Sequence, residues 1–173
     1  YRWNRPCYGV FNGKPHLRIE NRILPSGPTP VDEIANAALW FGLMRGMSDK
    51  YGDVTRHMEF DVAQENFSSA ARHGLDAQLR WIGQEPKPAR DLILNDLLPM
   101  AREGLKAERV DGEDIDKYLG IIERRVSSGM TGAEWIVRSF GSLRNGTNRA
   151  ERPYAITRAI AERLKTGKPV HEW

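Results

Sequence analysis

Four ionisable residues near the start of the chain are spaced so that they could bind a phosphate-bearing ligand. They occupy every second position and are His16, Arg18, Glu20 and Arg22. Leu17 and Ile19 lie between them, and Ile23 follows Arg22. In a β-strand successive side chains point to opposite faces, so the four ionisable groups would share one face. Same-face neighbours stand ~6.6 Å apart, so Arg18 and Arg22 would flank Glu20 at a spacing suited to a polyphosphate and a metal ion.

The residue types on this predicted face point to the same chemistry. A carboxylate is a ligand that a hard divalent cation prefers. Two arginines, where lysines would carry the same charge, favour planar, bidentate binding of carboxylate or phosphate. The alternative interpretation is an exposed polar face with cross-strand ion pairs, which is the commonest fate of a charged strand face.

Two antiparallel strands are predicted to carry these residues. The Asn12-Gly13 pair readily forms a tight turn between an apolar stretch, Cys7 to Phe11, and the alternating run from His16 to Leu24. The segment Leu24-Pro25-Ser26-Gly27-Pro28 is then predicted to end the second strand. Because an isolated hairpin is only marginally stable in water, we expect it to belong to a wider sheet whose other strands lie outside this sequence.

A helix is predicted to follow the hairpin and to lie against the sheet. Thr29 has the character of an N-cap, Pro30 suits the first helical position, and Asp32 brings negative charge to the first turn. Small residues at helical spacing would allow close packing, and these are Ala35, Ala37, Ala38 and Gly42.

Beyond Met47 every strong pattern is helical, so the predicted fold class is α+β and predominantly helical, a β-hairpin followed by a helical bundle. The predicted helices cover 66–82, 88–105 with a kink at Pro99, 111–126, a segment capped by Thr131, and 153–165. We expect one domain over 1–173, in which 1–47 holds the hairpin and its packing helix and 48–173 holds the bundle. Arg124 and Arg125 are interpreted as a solvated helix end.

Composition disfavours several classes of protein. The 26 basic and 23 acidic residues are interleaved, with no lysine-rich run, so nucleic acid is not an expected partner. No apolar run approaches the ~20 residues of a membrane span, and no membrane partner is expected. The single cysteine, Cys7, suits a reducing cytoplasm and is interpreted as a small buried residue.

The segment that begins at His16 resembles a family of ligases. Arg18-Ile19-Glu20-Asn21-Arg22 fits the Arg-x-Glu-x-Arg strand of the glutamine synthetase superfamily. The longer stretch HLRIENRILPSGPTPVDEIANAALWFGLM is similar to its glutamate-cysteine ligase and carboxylate-amine ligase branch. Asn66-Phe67, the segment 71–77 and Gly132-Ala133 also resemble the helical C-terminal part of such ligases.

This resemblance implies roles for individual residues. Glu20 would be a ligand of a Mg²⁺ ion that bridges the ATP phosphates. Arg18 would contact those phosphates, and Arg22 would stabilise the transferred phosphoryl group or hold the substrate carboxylate. Further candidates for lining the site are His16 by strand alternation, Arg2 and the better placed Arg5 by their position, and Arg72 and His73 by the family likeness.

The chemistry implied by the resemblance is phosphorylation of a carboxylate by ATP, followed by attack of an amine on the acyl phosphate. The expected substrates are glutamate and an amine, first of all cysteine, and the expected cofactors are ATP and Mg²⁺. The superfamily places further acidic metal ligands on strands before this motif, and no such strand precedes His16. We therefore expect the C-terminal part of a longer ligase that needs its N-terminal part, with homo-oligomerisation left open.

Two other classes of function stay open at this point. The first is a noncatalytic helical interaction or regulatory module that keeps the fold and has lost the chemistry. The second is a basic nucleic-acid-binding domain, which would bind DNA or RNA with a steep salt dependence.

Overall fold

The structure of the 173-residue chain is a computed structural model, and it describes residues 3–24, 27–83, 85–143 and 148–173. A two-stranded antiparallel hairpin at the N-terminal end is followed by helices, which confirms the predicted α+β, predominantly helical fold. Arg2, which was a candidate site residue, and Pro25 and Ser26, which were predicted to end the second strand, lie outside the described residues.

The hairpin consists of β1 (Asn4–Phe11) and β2 (Lys14–Asn21). The predicted turn is confirmed, because Asn12 and Gly13 both adopt positive φ angles, 49° and 73°. The first strand begins three residues before the predicted Cys7, and the second ends at Asn21, before the predicted Leu24. The longer first strand brings Arg5 into the ladder.

The hairpin is joined to the helices through an aromatic contact at its base. Trp3 lies with its ring centroid 4.6 Å from that of Phe67 and 5.8 Å from that of Phe60, both on helix α2 (Phe60–His73). The backbone N–H of Arg22 donates to the carbonyl oxygen of Trp3 at 2.9 Å, which extends the strand pairing to this point. These contacts fix the base of the hairpin against α2.

The predicted packing partner of the first helix is wrong. Helix α1 (Pro30–Tyr51) packs against α4 (Leu98–Ala107) and α5 (Gly112–Ser128), not against the hairpin. The apolar face of the hairpin is instead exposed, as Leu17 at 83% and Ile19 at 67% of their accessible surface show.

The small residues of α1 do allow close packing, but with α4. A Cβ atom on Gly42 would collide with the carbonyl oxygen of Ala101, and one on Gly104 would collide with the carbonyl oxygen of Gly42. A Cβ atom on Gly46 would lie 2.5 Å from the carbonyl oxygen of Met100. Because the backbones of the two helices touch, glycine is required at these positions.

The remaining elements follow in chain order. They are a 3₁₀ turn (Val54–Arg56), a 3₁₀ turn (Gly74–Asp76), β3 (Gln78–Leu79), β4 (Lys87–Pro88), α3 (Ala89–Leu92), a π-helical turn (Ile93–Leu97), α6 (Gly132–Ser142), α7 (Arg152–Leu164) and a 3₁₀ turn (Val170–Glu172). The strands β3 and β4 pair with each other in antiparallel fashion.

The helix predictions differ in accuracy along the chain. The helix predicted over 66–82 is misplaced, because α2 starts at Phe60 and ends at His73, where Gly74 adopts a φ of 55°. The disturbance predicted at Pro99 is the π-helical turn just before it, since proline has no N–H to continue the regular ladder. The predictions of the three later helices, α5, α6 and α7, are confirmed. Each start or end that was predicted lies within two residues of the observed one.

Two clusters of buried apolar residues hold the helices together. The larger one joins α1, α4 and α5 through Ala35, Ala101, Leu105, Ile115 and Leu119. The smaller one joins α6, α7 and the last 3₁₀ turn through Trp135, Ile156 and Val170. Along the described part of the chain, no helix combines the length and the apolar character needed to cross a membrane.

Candidate functional site

One face of the hairpin carries five of the predicted site residues, His16, Arg18, Glu20, Arg22 and Arg5, and is called the polar face here. Its members are Arg5, Cys7 and Gly9 on β1, His16, Arg18 and Glu20 on β2, and Arg22 directly after β2. The register pairs Arg5 with Glu20, Cys7 with Arg18 and Gly9 with His16. The predicted alternation thus agrees with the structure, and the opposite strand adds residues that the short motif does not contain.

Glu20 lies at the centre of the polar face between two arginines. Its Oε2 atom is 2.6 Å from Nη2 of Arg5 and 3.6 Å from Nη1 of Arg22. The three side chains are 41%, 39% and 43% exposed for Arg5, Glu20 and Arg22. Arg18 and Arg22 lie two residues before and after Glu20 along the strand, as expected, but the shortest ion pair of Glu20 is with the cross-strand neighbour Arg5.

Cys7 lies beside the ion pair. Its Sγ atom is 3.8 Å from Oε2 of Glu20 and 3.7 Å from the carbonyl oxygen of Arg5. The side chain is half-buried, so the interpretation of Cys7 as a buried residue holds only in part. A hydrogen bond with Cys7 and the negative charge of Glu20 raise the pKa of the Arg5 guanidinium.

Arg18 has a different partner from the other arginines. Its Nη1 atom lies 3.1 Å from Nε2 of His16. Within the described residues Arg18 forms no ion pair with a carboxylate, whereas Arg5 and Arg22 both approach Glu20. The polar face therefore has one cation whose charge is not offset by a neighbouring carboxylate.

Arg72 and His73 lie in the last turn of α2. They line a shallow groove together with other residues of the same helix, namely Asp61, Gln64, Glu65, Ser68 and Ser69. No contact seen in the described ranges joins Arg72 or His73 to the polar face, and their role in a site stays a prediction.

The donor set of the polar face fits Mg²⁺ only in combination with other ligands. Over the residues that the structure describes, no group of three or more His, Cys, Asp or Glu side chains could hold a metal ion. Mg²⁺ is commonly bound through one or two carboxylates, with phosphate oxygens and waters completing the octahedron. Glu20 therefore fits as a single protein ligand of a Mg²⁺ ion that arrives with a polyphosphate.

A second cluster of polar residues was missed by the sequence interpretation. This buried cluster joins Thr29, Asp32 and Asn36 at the start of α1 to Arg125 at the end of α5 and to Val170. Asp32 is fully buried, and its Oδ1 atom is 2.6 Å from Nη2 of Arg125, whose side chain is only 12% exposed. The interpretation of Arg125 as part of a solvated helix end is therefore wrong.

The other contacts of the buried cluster satisfy most of its polar atoms. The hydroxyl of Thr29 donates to Oδ2 of Asp32 at 2.7 Å, and the N–H of Val170 donates to the same atom at 3.0 Å. Arg125 also donates to Oδ1 of Asn36 at 2.6 Å. A sequence signal was present, because Arg125 follows Ile122 by three residues and so shares the apolar face of α5. Arg124, its neighbour, is exposed as expected.

Comparison with known proteins gives one family match. The sequence model of glutamate-cysteine ligase family 2 matches residues 2–162, which include the hairpin, helices α1 to α6 and most of α7. No curated protein and no solved structure matches the chain. The match confirms the resemblance that the Arg-x-Glu-x-Arg strand and its continuation indicate. The chain thus belongs to glutamate-cysteine ligase family 2, a family of carboxylate-amine ligases.

Proposed function

We propose that this chain contributes the polar face of its hairpin to the ATP and Mg²⁺ site of a carboxylate-amine ligase that joins glutamate to cysteine. The observation that carries the proposal is the arrangement of one exposed carboxylate, Glu20, among three exposed or half-exposed arginines on a single sheet face. Such a face is complementary to a polyphosphate that carries a divalent cation.

Each residue of the face has a proposed task. Glu20 would hold the Mg²⁺ ion, which offsets the charge of the phosphate oxygens when it is bound. Arg5 holds the Glu20 carboxylate across the strands at 2.6 Å. Arg22, at 3.6 Å from Glu20, is beyond hydrogen-bond distance and is free to bind the transferred phosphoryl group or the substrate carboxylate. Arg18 would bind the nucleotide phosphates.

The proposed reaction has two steps and needs no protein nucleophile. A carboxylate oxygen of glutamate attacks the terminal phosphorus of ATP, and ADP leaves. The amine then attacks the acyl carbon, inorganic phosphate leaves, and the amine loses a proton. Arg18 and Arg22 offset the negative charge at the phosphoryl group, which otherwise repels the attacking carboxylate. Cys7 has no step in this sequence.

We further propose that other parts of a longer polypeptide complete the site. Glu20 is the single carboxylate of the polar face, which leaves room for a second protein carboxylate, since one or two commonly bind Mg²⁺ together with substrate phosphates. Within the described residues the hairpin pairs with no third strand, so its outer edges are open to pairing with further strands. Both observations support a site divided between this chain and residues outside it.

The test is a ligase assay on the full-length protein. With ATP, Mg²⁺, glutamate and cysteine, the protein should release ADP, and hydroxylamine added in place of cysteine should yield glutamyl hydroxamate by trapping the acyl phosphate. Glu20→Gln should lower the rate about 100-fold or more. The matched control is Glu162→Gln, because Glu162 is an exposed carboxylate paired with Lys165 at 3.1 Å on a different element.

The outcomes separate the two classes of function. ADP release that depends on glutamate and is lost in Glu20→Gln but not in Glu162→Gln supports the ligase. Absence of ADP release by the folded full-length protein contradicts it and favours a noncatalytic module with the same fold.

A further inference from the structure

Arg18 contacts the imidazole of His16, whereas Arg5 contacts the carboxylate of Glu20. The two partners differ in their effect on the charge of the arginine. A carboxylate such as Glu20 both orients an arginine and neutralises it, so it competes with any phosphate for the guanidinium. A neutral imidazole accepts one hydrogen bond and leaves the positive charge in place. The 3.1 Å contact between Nη1 of Arg18 and Nε2 of His16 is of this second kind, because Nε2 can accept from the guanidinium only when it carries no proton.

Gly9 provides the space in which this contact forms. It lies directly opposite His16 in the hairpin register. A Cβ atom at this position would lie 2.8 Å from Nε2 of His16 and 2.9 Å from Nη1 of Arg18, closer than such atoms can approach. Any larger residue would therefore force one or both of these side chains to shift from the positions in which they form the contact. The φ angle of Gly9 is not in the positive range, so space and not backbone conformation accounts for glycine here.

We propose that His16, lying over Gly9, is a positioning residue that holds the Arg18 guanidinium in place for a phosphate group of the nucleotide without offsetting its positive charge. This inference rests on the proposed function and assigns to His16 and Gly9 a role in it. A free arginine side chain loses rotational freedom when it binds a ligand, and a side chain that is already held loses less. His16 thus strengthens phosphate binding without touching the phosphate.

The test is calorimetric titration of MgATP, and of adenosine as a phosphate-free probe, into the full-length protein and its variants. His16→Ala and Gly9→Ala should each weaken MgATP binding about tenfold, and His16→Gln, which keeps an acceptor at a similar reach, should stay within about threefold of the unmodified protein. Adenosine binding should not change. Gly141→Ala is the matched control, because no atom lies within 4 Å of a Cβ at that position.

A double-variant comparison isolates the positioning role. Arg18→Ala should weaken MgATP binding more than His16→Ala does, and adding His16→Ala to Arg18→Ala should have no further effect, because His16 acts through Arg18. Unfolding midpoints in urea should be unchanged by His16→Ala and His16→Gln, since the pair is exposed.

The results distinguish failure of this inference from failure of the proposed function. If Arg18→Ala weakens MgATP binding but His16→Ala and Gly9→Ala do not, the positioning role is overturned and the proposed function stands. Equal losses in His16→Ala and His16→Gln also overturn it, since an acceptor alone should rescue binding. If the folded full-length protein does not bind MgATP, or if Arg18→Ala binds it normally, the phosphate role of Arg18 fails and this inference with it.

Discussion

Two arginine–carboxylate pairs in this protein have the same length and different surroundings. Arg5 and Glu20 on the hairpin are 2.6 Å apart and are 41% and 39% exposed. Arg125 and Asp32 between the helices are also 2.6 Å apart, but they are 12% and 0% exposed. The buried pair has further fixed partners in Asn36 and Val170, whereas water reaches both members of the exposed pair.

The comparison shows that the distance between the two charged groups does not by itself determine the role of an ion pair. In the buried cluster, neither charge can turn to another partner without leaving the other charge alone in an apolar surrounding. On the polar face, solvent can replace either partner at little cost, so Glu20 and the arginines can exchange partners when a ligand arrives. The buried pair therefore holds helices together, and the exposed pair is suited to binding.

The largest expected effect is on stability at the buried cluster. Arg125→Ala should lower the free energy of unfolding by about 3–5 kcal/mol, because it leaves the carboxylate of Asp32 buried and unpaired. Urea denaturation of the full-length protein, followed by circular dichroism, measures this change. Arg5→Ala is the matched control and should leave the unfolding midpoint unchanged. Equal midpoint shifts for the two variants would contradict the distinction drawn between the two pairs.

The second prediction extends the comparison from ion pairs to glycines. Gly42→Ala should lower the free energy of unfolding by about 1–3 kcal/mol, because the new methyl group collides with the backbone of Ala101. Gly9→Ala should leave stability nearly unchanged, because its methyl group meets only the ends of the His16 and Arg18 side chains, which can shift toward solvent. Thermal and urea unfolding of both variants check this. A larger loss for Gly9→Ala would show that the hairpin is packed as rigidly as the helices.

The third prediction concerns the planar guanidinium of Arg22 on the polar face. Arg22→Lys keeps the charge but loses the planar pair of donors, so ligase turnover of the full-length protein should fall about tenfold while the unfolding midpoint stays the same. Steady-state rates at saturating ATP and glutamate measure the fall. Turnover equal to that of the unmodified protein would mean that Arg22 acts only as a distant point charge.

The smallest expected effect is a pH dependence at the edge of the buried cluster. Burial, together with the nearby charge of Arg124, lowers the pKa of His171, whose Nε2 accepts from Arg124 at 3.1 Å. Between this lowered pKa and the usual value of about 6.5, the unfolded chain binds more protons than the folded one. Stability should therefore be greatest above about pH 6.5 and fall as the pH drops below it.

Comparison of two proteins isolates this contribution. The free energy of unfolding of the unmodified protein should be lower at about pH 5.5 than at about pH 7.5, and His171→Gln should reduce that difference. His16→Gln on the exposed hairpin serves as the control. If His171→Gln leaves the full pH dependence in place, the burial of His171 has no measurable consequence for stability.

Short sequence patterns, namely turn residues, strand alternation and helix caps, made much of the fold and part of the site predictable. The Asn12-Gly13 turn fixes the hairpin register, and that register together with strand alternation places His16, Arg18 and Glu20 on one face. The caps at Thr29, Asp111 and Thr131 mark helix starts that the structure contains, since each side chain accepts from the first turn of its helix.

Contacts between distant segments were not predictable in the same way. The pairing of Glu20 with Arg5 depends on a first strand that begins earlier than the apolar pattern indicates. Asp32 and Arg125 are far apart in sequence, and each also fits an ordinary helix end. The packing of α1 on α4 depends on glycines at 42 and 104 that meet only in the folded protein. The periodicity of apolar residues predicts which face of a helix is buried, but it does not predict which element packs against that face.

The measurement that tests the central claim most directly is hydrogen exchange of the full-length protein with and without saturating MgATP, followed by mass spectrometry. The account predicts slower exchange in β1 and β2, which carry the polar face, and no change at the start of α1, the end of α5 or the turn at Val170. Unchanged exchange in the hairpin at saturating MgATP, with protection confined to the helices, would contradict the assignment of the polar face to phosphate binding.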